Sequence, residues 1–546
     1  MAHSARYKKL LLTTLGLAAG VVSLLAAKPF VLERILIHGL DSPDEAARRS
    51  AASRLAGMRS ARAVPRLVEL LVEVAPVVGH AVREAEPHVF VCGTPYVGDL
   101  AHLNCFDRDT YDTEAKTPFW EGLWPAHALV SIGAPSAAPL VEALSSRAFD
   151  ARLAACRTLV RLGPAAVPAL AAGLDEGLSP AERILVTLAV IGTDARPALS
   201  SVLRVLRSND ITERTYAAAT VGLLEPGCEA ALPALLEALD DPHPNVRAAA
   251  ARSLGQGSFA SEGTASRLTR MLFEESDEQA RGQAANAAAK MGSFAPLTVP
   301  GLLSCLERDV PMDFSSTHAA SALESLGPAA AGAVSGLIKL LSRSDLERRD
   351  AAARILGRIG VGAIQAVPAL LKATEDSDVS LQAEAAIALW RVDGREDFSR
   401  IVLKRVLESP DARENARNRM SLESFVLEIA EMGPRALETA PVLETLLEDE
   451  DVGLRAVTGF ALWRITGSVE RSVPAIVSAI ENKSVYARLQ AARLLGLMGS
   501  AVRVRGVMAL EQVLAAREED ELVHAAAAEA LQRIRGASAH SGRRCE

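Results

Sequence analysis

The chain has 546 residues, of which 49% are hydrophobic but only 4% aromatic, and its formal net charge is -8. That length exceeds what one compact core supports, which leaves several domains or one elongated array, and the apolar excess in Ala, Leu and Val favours closely packed helices over sandwiched sheets. Nucleic acid is not an expected partner, because phosphate binding needs clustered Lys and Arg and no basic stripe is visible.

The first element, residues 1–28, stands apart. Arg6, Lys8 and Lys9 precede an uncharged stretch from Leu10 to Ala27, and Lys28-Pro29 closes it. This is the layout of a signal anchor or of a signal peptide. The best exit, Leu25-Ala26-Ala27, puts Leu at minus three, where a peptidase wants a small residue. The uncleaved anchor is therefore preferred, and a secreted or periplasmic product of cleavage is the alternative. With the basic residues on its N-terminal side, the segment keeps the N-terminus in the cytoplasm, contacts the membrane through residues 10–27 and places the rest outside. Gly16 and Gly20 form a small-xxx-small pair, which offers a weak homodimer contact.

From residue 29 onward a unit recurs: Val-Pro-Ala-Leu-Leu, a short polar turn, then Val-Arg and an Ala-rich run ending in Leu-Gly. Its Pro falls at Pro65, Pro139, Pro168, Pro197, Pro233, Pro300, Pro368, Pro441 and Pro474, each reading as the start of a first helix, where the missing N–H costs nothing. Leu232, Leu235, Leu236 and Leu239 then share one face, Asp240-Asp241-Pro242 breaks the helix, and Val246-Arg247 opens the second. One Arg keeps a step near 33 residues in the second helices: Arg214, Arg247, Arg281, Arg349, Arg455 and Arg488, with Arg48 and Arg152 in the same register earlier. Ser316, Gln382, Leu422 and His524 take its place in other units. The register reads as a structural ladder, each guanidinium bonding an Asp or carbonyl of an adjoining loop, with Asp241, Asp345 and Asp451 as candidate acceptors. Trp390 and Trp463, in repeated Ala-Leu-Trp-Arg sequences, read as packing residues.

This pattern resembles the HEAT repeat superfamily, most closely its phycobilisome lyase-like short repeats, and residues Asp241 to Gly255 match the second half of that repeat well. The resemblance implies an all-α fold: two antiparallel helices per unit, stacked into a right-handed α-α superhelix, about fourteen units in number. The expected divisions are first units over 29–75, a non-repeat insertion over 76–118, the main array over 119–535 and a disordered tail over 536–546. Each unit shelters its neighbour's apolar face, so the stack makes one extended core.

The insertion replaces Ala and Leu with Pro, Gly, Tyr, Cys, His and Asp, and His88 to Gly93 reads as a short strand and turn. Long insertions in repeat arrays tend to carry function. In an exported protein Cys92 and Cys105 are disulfide candidates. The alternatives are free thiols, or a tetrahedral zinc site built from His88, Cys92, His102 and Cys105. Asp107, Asp109 and Asp112 lack the Gly turn and distal Glu of an EF-hand. Cys156, Cys228 and Cys305 read as reduced thiols of the repeat core.

No phosphate loop, nucleophile elbow or zinc-protease helix occurs. Deoxyhypusine hydroxylases, an enzymatic branch of the superfamily, use His-Glu pairs, and this chain has no His-Glu dipeptide. The leading expectation is a non-catalytic scaffold without cofactors that holds a protein or peptide in its concave groove or at the insertion. A bilin-lyase-like or other enzyme subunit and a zinc-dependent module are the alternatives.

Overall fold

In the computed structural model the described residues are 30–85, 122–178, 180–224, 229–256, 259–308, 311–394, 396–409, 416–516 and 520–541. They fall into two blocks, Met1–Thr298 and Val299–Glu546. The anchor segment, the residues from 86 to 121 and residues 542–546 lie outside the described residues, and with them the strand reading; the tail expected to be disordered from residue 536 is instead helical as far as Ser541, because Glu521–Ser541 continues through it.

The Pro and Asp positions explain where helices begin. Pro168, Pro233, Pro368 and Pro441 each sit in the first turn of a first helix, in Val167–Asp175, Leu232–Ala238, Val367–Ala373 and Ala440–Leu446. A polar turn follows, and the second helix starts behind an Asp whose carboxylate accepts first-turn backbone N–H groups. This is so for Asp44, Asp210, Asp277, Asp313, Asp345, Asp378 and Asp451. Each such cap contributes about 1 kcal/mol. Second helices commonly end at a Gly with positive φ, such as Gly163 or Gly360, followed by a turn of 3-10 helix leading into the next first helix.

Both blocks are all-α stacks of these hairpins, and no strand occurs among the described residues. The second helices form the interior: Ala248, Ala249, Ala250 and Ala251 are all buried in Pro244–Gln256. In the C-terminal block a single cluster of buried side chains runs from Ala383 to Ile534, so the core is continuous across those repeats. One described run, Leu346–Ala373, is long and apolar enough to cross a membrane. It is two helices, Leu346–Ile359 and Val367–Ala373, joined by a 3-10 segment that breaks at Ala363, with Ile355, Leu356, Ile359 and Leu370 in the core.

One register position sets how closely successive second helices approach. Twelve residues beyond the N-cap stand Gly222, Gly357 and Gly496, and Gly255 is their counterpart in Pro244–Gln256. A methyl group on Gly222 or Gly255 would lie 2.7 Å from the Cα of Ser253 or Ala287, and on Gly357 or Gly496 it would lie 3.1 or 3.0 Å from the Cα of Ala388 or Ala530. Absence of a side chain thus lets two backbones touch. Trp390 and Trp463 occupy the same position in Val379–Asp393 and Val452–Thr466. There the second helix meets the following repeat mainly through that repeat's first helix, Glu396–Glu408 or Ser472–Ile480, rather than through its second helix. Both helices end in left-handed glycines, Gly394 and Gly467, whose N–H groups donate to the Trp carbonyls.

The first helix of the second repeat extends beyond the expected insertion boundary. Val64–Ala85 continues through Pro76, and its described partner helix is Trp124–Ile132.

Candidate functional site

The repeated Arg stands four residues beyond the N-cap, one turn into the second helix, where its side chain points back over the loop that precedes it. Its Nη1 donates to carbonyls five and six residues earlier. Arg48 bonds Ser42, Arg152 bonds Ser146 and Arg147, and Arg214 bonds Ser208 and Asn209. Arg247 bonds Asp241 and Pro242, Arg281 bonds Glu275 and Ser276, Arg455 bonds Asp449 and Glu450, and Arg488 bonds Asn482 and Lys483. The guanidinium therefore fastens the loop of its own hairpin. Gln382 donates to the Asp376 carbonyl at 2.6 Å and performs the same closure with an amide.

Three Arg of this register reach the loop of the following repeat. Arg214 holds Asp241 at 2.8 Å, Arg247 holds both oxygens of Glu275 at 2.6 and 2.7 Å, and Arg349 pairs with Asp376. Burial pushes the Glu275 carboxyl upward, but bonds from Arg247 and the Asp277 N–H outweigh it and hold the group below its usual range. Asp376 is held low in the same way by the Asp378 N–H and Arg349.

The proposed acceptors divide. Asp241 receives Arg214, whereas Asp345 and Asp451 spend their oxygens capping their own helices, and Asp345 pairs with Arg348. The register in Phe314–Leu326 shifts by one residue: Asp313 is the cap, so Thr317 and not Ser316 stands at the Arg position. Ser316 donates to the Cys305 carbonyl at 3.1 Å. Leu422 is a core residue, and His524 Nε2 lies 2.9 Å from the Val513 carbonyl oxygen. Arg348, which has no counterpart in the sequence pattern, is buried and donates to the Leu306 and Arg308 carbonyls of the preceding repeat.

A cleft of about 410 Å³ opens on this loop edge in the N-terminal block, lined by Leu239, Asp240, Arg267, Arg270, Met271 and Glu275 among others. Its charges are matched: Asp240 takes Arg267 and Arg270, and Glu275 takes Arg247. The C-terminal block holds a second charged group along its second helices. Arg354 bonds Glu324 at 3.1 Å, while Arg358 and Arg391 converge on Glu428 and Arg391 also holds Glu431 at 2.6 Å. Glu384 lies among Arg354, Asp350, Glu428 and Glu324, and burial pushes its carboxyl up to about 7 against the pull of Arg354.

A row absent from the sequence reading lies near the C-terminal ends of the second helices. Arg161, Gln256 and Lys290 in the N-terminal block are exposed, as are Arg358, Arg464, Leu497 and Arg533 in the C-terminal block. Its signal was present, since Arg161, Arg358 and Arg464 each fall nine residues after Arg152, Arg349 and Arg455. Basic residues in a last turn also suit the helix dipole.

Among the described residues no group of three His, Cys, Asp or Glu is arranged to hold a metal ion. His88, Cys92, His102, Cys105 and Cys228 lie outside them. Cys156 and Cys305 are thiols outside any disulfide, the latter buried. Trp390 and Trp463 are half-buried and pack against the core.

Residues 197–289 and 232–324, which carry this hairpin with its capped second helix and apolar interior, match the HEAT repeats family. The chain is an all-α protein of stacked helical hairpins that carries HEAT repeats over those residues. Among solved structures it is similar to yeast importin-beta (Kap95p), with 11% identity over 93% of this chain and 74% of that one and a TM-score of 0.48. It is also similar to Kap121p bound to Pho4p, at 14% identity over 93% and 67% of the two chains with a TM-score of 0.43. No curated protein sequence matches the chain significantly.

Proposed function

We propose that this chain is a non-catalytic scaffold of about fourteen HEAT-type hairpins, held at the cytoplasmic membrane by residues 10–27, whose second-helix face or 76–118 insertion holds a protein or peptide. The observation that carries this reading is the row of exposed side chains that recurs at one register of several second helices in each block. It offers an extended surface rather than a single pocket. The charged groups beneath the loops support it too, because they are committed to one another and fasten the fold.

The test is site-specific photocrosslinking in cells, with the photoreactive residue placed at Arg161, Lys290, Arg464 or Leu497 of the full-length chain and, separately, at Glu114 in the insertion. Recovery of one shared protein adduct from the second-helix positions places recognition on that face, and recovery from Glu114 alone places it in the insertion. Absence of any protein adduct from every position sinks the scaffold reading. Fractionation of the same cells checks the anchor, which requires the chain to remain with membranes after a high-salt wash.

A further inference from the structure

The first described helix, residues 30–39, turns Leu36 and Leu40 toward the core yet leaves Phe30, Val31 and Ile35 50%, 52% and 61% exposed. Val31 and Ile35 are one turn apart and share an outer face with Arg34, which is also exposed. Arg62, from the turn after Glu45–Gly57, pairs with Glu33 of this helix at 3.4 Å, stays largely exposed, and lays its guanidinium 4.5 Å from the centre of the Phe30 ring. An apolar strip edged by cations is the pattern of a helix lying in a membrane interface, where the apolar side chains enter the acyl boundary and the cations meet headgroup phosphates.

Covalent distance argues for the same occupant. The uncharged segment ends at Ala27, three residues before Phe30, and three residues span at most about 10 Å. With Leu10 to Ala27 in a bilayer, the start of this helix cannot leave the membrane surface. We infer that the exposed face of residues 30–39 docks on the lipid bilayer, with Phe30, Val31 and Ile35 in the interface and Arg34 and Arg62 toward anionic headgroups. The inference rests on the anchor reading above and adds the surface by which the first repeat is seated.

The full chain, reconstituted into phosphatidylcholine and phosphatidylglycerol vesicles with brominated or ordinary acyl chains, provides the test. Ile35→Trp and Val31→Trp add an indole on the docking face, Leu17→Trp adds one in the anchor, and each is read as the emission gained over the parent chain. Docking predicts that bromine quenches the added emission at both face positions at least about twofold, as expected for side chains reaching the acyl boundary. Quenching at Leu17→Trp without quenching at either face position overturns the docking and leaves the anchor standing, as it would if a protein or a second copy covered the face. No quenching at any position overturns both.

Discussion

At the scale of single residues the molecule depends on guanidinium groups that satisfy loop carbonyls. Arg247→Ala removes the bonds to the Asp241 and Pro242 carbonyls and takes the cation from the Glu275 carboxylate, whose side chain is 4% exposed and which keeps the Asp277 N–H. A cost of about 3 kcal/mol is expected, against about 1 kcal/mol for Arg455→Ala, whose bonds go to the Asp449 and Glu450 carbonyls. Removing both charges with Arg247→Met and Glu275→Leu should cost less than Arg247→Ala alone; urea unfolding of the three variants checks the order. The spacing of these Arg was legible because a repeat imposes it. Their acceptors were not, because Asp241, Asp345 and Asp451 look alike in sequence. Only the fold decides whether a loop carboxylate turns to its own helix's N–H groups or to a neighbour's cation. The slip from Thr317 to Ser316 has the same origin, since the cap that sets the register is Asp313.

At the scale of the helix, Glu384 is the group out of balance. Its carboxyl titrates near 7, well above its unfolded value, because burial and the neighbouring Asp350, Glu428 and Glu324 oppose the help from Arg354. A raised carboxyl favours the folded state when protonated, so this contribution is complete below about pH 4.5 and is lost as pH rises through about 7. Glu384→Gln should therefore raise stability at pH 8 by roughly 1–2 kcal/mol, with the gain shrinking toward pH 5. Thermal melts of both chains across that range measure it; an equal shift at pH 5 and pH 8 would show that protonation is not the cause. Helix identity was readable from Pro, Asp and Ala patterns. The different stacking at Trp390 and Trp463 was not, although both residues were noticed. Their meaning appears only when Gly222, Gly255, Gly357 and Gly496 are found at the same position.

At the scale of the whole molecule, stability in a repeat array is a sum over neighbours, so damage stays local. Gly255→Val drives two methyl groups into the backbone at Ala287 and should cost about 3 kcal/mol or more. Hydrogen exchange should accelerate in residues 244–289 while protection in 452–498 is retained, whereas a uniform rise across both regions would contradict the neighbour-sum description. The repeat architecture was open to the sequence because its period recurs; the insertion follows no such period, and its composition alone marked it out. The way Arg48, Arg214, Arg247, Arg281, Arg455 and Arg488 each tie down the turn they themselves follow has an evolutionary corollary. A duplicated segment brings its own clasp, so a gene of this kind can lengthen by copying without a compensating change elsewhere.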